Sequence, residues 1–141
     1  MKLKPSSKPF RYTLGDRGEA AACSYLKKQG YKILEKNYRC TIGEIDLIVQ
    51  KDGRIIFVEI KTRSNDHFGR PEESVHAAKQ KKLIRLAQWY LKTHPSFASQ
   101  PAGFDVIAVS GSLDAGLSSV GRGAPEIRHI PQAFTLPADN D

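Results

Sequence analysis

Apolar and polar positions change period several times along this chain, and each change marks an element. From Asp16 to about Gln29 the residues Ala22, Tyr25 and Leu26 fall on one helical stripe. Asp16 with Glu19 three residues on has the form of a capping box, and Gly30 supplies a C′ stop. Tyr31 to Arg39 alternates loosely, as an edge strand does. Two β-rich runs follow, Gly43 to Gln50 and Ile55 to Lys61, around Lys51-Asp52-Gly53-Arg54. Asp-Gly between such runs is a strong hairpin signal. Thr62 to Glu73 reads as a loop. Helical periodicity returns from Ser74 or Val75 to Lys92 or Thr93, with Leu83, Leu86, Ala87, Tyr90 and Leu91 as the core stripe. Trp89 falls at the flank of that stripe and reads as packing.

Phe104 to Val109 is apolar on both faces apart from Asp105, which fits a buried central strand. Asp105 reads as a strand-entry partner for an arginine or a backbone N–H, or as an acid supporting a site. Ser110 to Pro125 is rich in Gly and Ser without a phosphate-loop spacing and reads as a flexible hairpin loop. Glu126 to Ile130 is a last short strand, with Phe134 returning to the core. The order helix, three strands, helix, two strands predicts an α/β fold, a mixed β-sheet flanked by helices. Residues 1–14 read as a disordered basic arm, 15–136 as a single domain and 137–141 as a frayed tail.

The hairpin register places chemistry. With Asp52 and Gly53 in the loop, Lys51 pairs with Arg54, Asp46 lies opposite Glu59, and Glu44 opposite Lys61. Period two then puts Asp46, Glu59 and Lys61 on one face. Ile45, Leu47, Val49, Ile56, Val58 and Ile60 form the other, which must be core. Carboxylates directly across a hairpin, with Cβ atoms roughly 5 Å apart, destabilise the sheet. A hard divalent cation would offset them, since Mg²⁺ binds through one or two carboxylates and keeps several waters. Lys61 would orient a water or stabilise a developing phosphate charge. The plainer alternative is a solvated face with Lys61 paired to Glu44.

Composition and charge narrow the partners. The 141 residues suffice for one domain with a real core. No apolar run approaches the roughly 18 residues of a membrane span, and the first residues lack the apolar segment of a secretory signal. A cytoplasmic location is the expectation. Cys23, Cys40 and the four histidines form neither a disulfide framework nor a zinc spacing. The net charge of +7 favours polyanions. Arg63 and Arg70, in the loop after the Glu59 strand, are candidate phosphate contacts. Phe68 in the same loop is a stacking group or an anchor. Lys79, Gln80, Lys81, Lys82 and Arg85 crowd the first half of the second helix, a surface suited to tracking phosphates.

The residues carry a resemblance. Asp46, a hairpin, then Glu59-Ile60-Lys61 resembles the D…(D/E)-x-K signature of the restriction-endonuclease-like nuclease superfamily. Gly43-Glu44-Ile45-Asp46-Leu47-Ile48 with Phe57-Val58-Glu59-Ile60-Lys61-Thr62-Arg63 resembles the YraN-like family of small bacterial proteins, itself similar to archaeal Holliday-junction resolvases. The resemblance runs from about Gly15 to Phe134. It implies a restriction-endonuclease-like core and a Mg²⁺- or Mn²⁺-dependent endonuclease acting on DNA, with branched DNA and a homodimer suggested by the resolvases. Asp46 and Glu59 would bind the metal, Lys61 would serve catalysis, and Glu19 from the first helix would complete the site, unless it caps that helix. Lys79 or Gln80 would support the site, and Lys82 would join Arg63 and Arg70 on the nucleic acid. Two alternatives stay open: a non-catalytic nucleic-acid-binding module, and a basic interaction protein.

Overall fold

A computed structural model describes residues 14–63, 75–111 and 125–136. Helix α1 spans Leu14–Lys28. Strands β1 (Lys32–Cys40), β2 (Gly43–Lys51) and β3 (Arg54–Arg63) follow. Helix α2 is Ala77–Thr93, and a single 3-10 turn, Pro95–Phe97, leads to β4 (Ala102–Ser110) and β5 (Glu126–Thr135). The five strands form one sheet in sequence order. Only β3 and β4 are parallel, because α2 crosses between them; the other neighbours are antiparallel. This is the expected mixed sheet flanked by helices, and it is consistent with a restriction-endonuclease-like core. The basic arm, the tail, Phe68 and Arg70 lie outside the described residues.

The β2–β3 hairpin forms as its sequence requires. Asp52 (φ +52°) and Gly53 (φ +74°) are both left-handed, the conformation of a two-residue type I′ turn. Lys51 pairs with Arg54 and the register holds to Leu47 and Val58. Helix α1 ends in a Schellman motif: Tyr31 N–H donates to the Leu26 carbonyl, Gly30 N–H to that of Lys27, and Gly30 has φ +92°.

Each sheet face buries one helix. On one side Ala22, Cys23 and Leu26 of α1 pack on Leu47, Val49, Ile56, Val58, Ile107 and Val109. On the other, Leu83, Leu86, Ala87 and Tyr90 of α2 cover Ile45, Ile48, Phe57, Phe104 and Val106. β2, β3 and β4 therefore supply residues to both cores, and their apolar runs are nearly continuous. Phe104 and Phe134 stack at 4.3 Å.

Five expectations need correction. Helix α1 begins at Leu14, so Asp16 lies inside its first turn and is not the cap that the box pattern required. Helix α2 begins at Ala77, with His76 as its N-cap. β5 continues through Pro131 to Thr135, because an edge strand with a register shift at Gln132 (φ +50°) tolerates proline. Trp89 is 42% exposed and does not pack in the core. Ile45 and Leu47 do not share a face: Ile45 belongs to the α2 core and Leu47 to the α1 core. The reversal lies level with Asn37 of β1, which has φ +52° between the pairs Lys36↔Leu47 and Tyr38↔Ile45. The ribbon kinks there, and Asp46 is the β2 residue level with the kink.

Candidate functional site

The kink opens the sheet beside Asp46. Regular β2–β3 pairing stops at Leu47↔Val58. One step further, Asp46 Oδ2 accepts the Ile60 backbone N–H at 2.7 Å. The side chain has taken a donor that faces β2, and this ties the diverging strands together. Glu59, the next acid on β3, is only 8% exposed. Its neighbours Phe57 and Leu83 place it on the α2 side. There Oε1 pairs with Lys61 Nζ at 3.3 Å and with the Lys79 ammonium reaching down from α2.

The electrostatics follow from crowding. Burial pushes the Asp46 carboxyl up to about 7, and the charges of Glu59 and Glu44 add to it. The Ile60 N–H and Lys79 pull in the opposite direction. Burial and then the nearby Lys79 lower the Lys61 ammonium, against the attraction of Glu59. Burial works against Lys79 too, but its contact with Glu59 holds it above the ordinary lysine value. A half-buried and a buried acid thus share a gap in the sheet with two lysines.

Glu19 is directed elsewhere. Helix α1 approaches β3 closely at Gly18, where a Cβ would overlap the Thr62 hydroxyl and lie 2.7 Å from Cγ2. Glu19, one residue on, accepts a 2.7 Å hydrogen bond from Asn37 Nδ2. Asn37 is level with Asp46 on the adjoining strand. Glu19 therefore stops one strand from Asp46, and among the described residues no three His, Cys, Asp or Glu side chains converge as a metal cluster. The solvated-face alternative fares no better, because Glu44 pairs with Arg39 Nε at 3.2 Å and Lys61 with Glu59.

The other candidates scatter around this centre. Lys82 lies over the β1–β2 turn, its Cε so close to Gly43 that a Cβ there would be 2.7 Å away. Gln80 turns back to the head of its own helix and donates to the Val75 carbonyl at 3.0 Å. Arg63 donates to the Thr62 carbonyl at 3.0 Å. Arg70 lies outside the described residues.

The donor set suits a hard divalent cation. Mg²⁺ needs only one or two carboxylates when waters and substrate phosphates complete its shell. Asp46 and Glu59 are such a pair, and each has one oxygen engaged by the contacts above.

Family comparison agrees with the fold and the sequence pattern. The model of the uncharacterised protein family UPF0102 matches residues 18–109. The chain belongs to this family. A UPF0102 protein of Desulforamulus reducens is 44% identical over 125 residues, covering 88% of this chain and 97% of that protein. One from Clostridioides difficile is 52% identical over 95 residues, 67% of this chain and 82% of that protein. One from Syntrophotalea carbinolica is 43% identical over 126 residues, 89% and 94% respectively. The YraN-like resemblance read from the Asp46 and Glu59 strands is this family. The matched stretch contains Glu19, Asp46, Glu59, Lys61 and Lys79.

Sequence reasoning missed one cluster of this UPF0102 chain. Asp105 is 4% exposed and sits within β4, beside Val58 of β3. Its Oδ2 pairs with His129 Nε2 at 2.6 Å, and Oδ1 accepts the Gln132 N–H at 3.0 Å. His129 Nδ1 in turn meets the Tyr25 hydroxyl at 3.0 Å. Asp105 does take a backbone N–H, as one reading held, but its side-chain partner is a histidine on the next strand. His129 stands 24 residues downstream and no spacing rule could couple the two.

Proposed function

We propose that this chain is a divalent-metal-dependent phosphodiesterase acting on DNA, an endonuclease in the broad sense. The observation that carries the reading is the pair Asp46 and Glu59, a half-buried and a buried acid where the β2–β3 pairing stops, flanked by Lys61 and Lys79. Burial and the neighbouring Glu59 charge push the Asp46 carboxyl up to about 7. Mg²⁺ or Mn²⁺ held by Asp46 and Glu59 would lower the pKa of a water and neutralise charge on the reacting phosphate. The residues do the rest. Asp46 keeps its place through the Ile60 N–H. Lys61, nearly buried beside Glu59, offers an ammonium to the phosphate or the attacking water. Glu19 joins only by leaving Asn37. Lys82, on the exposed flank of α2, serves as a backbone contact, with Arg63 and Arg70 in the same role. Branched DNA and a two-fold homodimer extend the proposal by analogy with junction resolvases.

One observation favours a second reading. Lys61 and Lys79 already neutralise Glu59, so the acids can coexist without a metal. A non-catalytic nucleic-acid-binding module would retain such a site. The test titrates Mg²⁺ and Mn²⁺ into the protein and into Asp46→Ala by calorimetry. Incubation with branched, single-stranded and linear duplex DNA follows. Binding abolished by the substitution, together with cleavage of any substrate, supports the nuclease. Salt-sensitive DNA binding without metal binding at millimolar concentration supports the module.

A further inference from the structure

Two ammonium groups meet one carboxylate oxygen, and they are not equivalent. Lys61 comes from the same strand as Glu59 and is 15% exposed in its side chain. Lys79 comes from α2 and is 32% exposed, with the closer contact. Both point at Glu59 Oε1, so the two like charges also lie near each other. The other acid, Asp46, is pulled by the same Lys79 charge. A cation sitting on Glu59 and within the field of Asp46 stands where a divalent ion would have to enter. The two cannot both hold that oxygen.

We propose that Lys79 is a displaceable cation that closes Glu59 to metal until a phosphodiester draws its ammonium away, so that metal and nucleic acid load together. This rests on the metal-dependent reading above. The geometry makes Lys79 the mover. Its side chain is long, flexible and twice as exposed as that of Lys61, and it rises from the first turn of a helix whose next turns carry Lys82 and Arg85. A phosphate arriving along that surface meets the Lys79 ammonium before it meets the acids. Swinging onto the phosphate exchanges one anion for another, which costs the lysine little. It also removes one of the two cations that crowd Glu59 Oε1, leaving Lys61 as the one cation there when the metal approaches. Loss of that charge from Glu59 and arrival of a phosphate both favour the divalent ion. Linkage then requires the converse, that metal tightens nucleic-acid binding by the same factor. Without nucleic acid the site would hold its own lysine in place of a metal, which limits idle metal loading.

The experiment measures Ca²⁺ binding by calorimetry, with and without a short DNA duplex, in wild type, Lys79→Met and Lys79→Arg. Ca²⁺ takes the same oxygen ligands and separates binding from turnover. Without DNA, Lys79→Met should bind Ca²⁺ about tenfold more tightly than wild type, within the usual range of coupling between sites. Duplex DNA should tighten wild-type binding by a similar factor and change Lys79→Met little. Lys79→Arg keeps the charge and should keep the coupling, a result that loss of helix packing would not give. Equal Ca²⁺ affinity in wild type and Lys79→Met, or an equal effect of DNA on both, overturns the proposal while leaving the metal site intact. No Ca²⁺ binding by any of the three proteins, with or without DNA, overturns the metal-dependent reading itself.

Discussion

Asp105 and Asp46 are aspartates two strands apart in one sheet, and the fold treats them in opposite ways. Asp105 is enclosed, and both its oxygens have partners: His129 on one, the Gln132 N–H on the other. Its carboxylate also secures the register shift of β5, where Gln132 turns to positive φ. Asp46 receives one backbone N–H and faces a second acid. The first arrangement completes itself within the protein. The second leaves a carboxyl pushed up to about 7 and a glutamate held, among the described residues, by two lysine ammonium groups. Crowded charge without full hydrogen bonding is costly, and perturbed acids of this kind are candidates for binding a group from outside the chain. Asp105 is a structural acid by this criterion, and Asp46 with Glu59 is the candidate site.

The sharpest way to break the contrast is Asp105→Ala. It leaves the half-buried His129 ring and the Gln132 N–H without their acceptor and should cost about 2 kcal/mol in urea denaturation. A loss under about 1 kcal/mol would remove the structural assignment. Asp46→Asn should act in the other direction. The unfolded chain releases the Asp46 proton near 3.8, whereas the folded protein keeps it to about 7. The folded state therefore binds more protons in that window, and metal-free stability falls as pH rises through it. Asparagine still accepts the Ile60 N–H but carries no charge. That limb should flatten, leaving the variant on the order of 2 kcal/mol more stable than wild type at alkaline pH in EDTA. An unchanged pH profile would mean that Asp46 is not strained.

Two smaller effects refine the picture. Tyr25→Phe removes the hydroxyl partner of His129 Nδ1 and should cost about 1 kcal/mol, with no effect on metal affinity. Any coupling to metal binding would join the two regions that the geometry separates. Glu19→Gln preserves an acceptor for Asn37 and is partly exposed, so stability should move by less than about 0.5 kcal/mol. Metal affinity is its informative readout: an unchanged value leaves Glu19 outside the site, and a loss brings it in.

Much of this was legible without coordinates. The Asp52-Gly53 turn and the period of two were enough to register β2 on β3 and to bring Asp46 and Glu59 to adjacent strands, because hairpin pairing is local. The α2 stripe and the mixed sheet also followed from periodicity and order. The limits appeared where a residue's surroundings come from distant chain. Ile45 was grouped on one face with Leu47, but the face of β2 reverses between them, level with Asn37, whose positive φ no pattern announces. Trp89 looked like packing, yet the helix turns it to the surface. Asp105 carried no hint of Tyr25 or His129, which arrive from α1 and β5.

The sequence by itself determined the hairpin, the acids it carries, the family and the basic balance, since these depend on short spacings and on composition. Only the tertiary structure decided which partner each charge meets. It set Lys79 on Glu59, Arg39 on Glu44, Glu19 on Asn37 and His129 on Asp105. The reason is physical. Charge interactions depend on distance and burial, and both are fixed by how α1, α2 and β5 pack on the sheet rather than by separation along the chain.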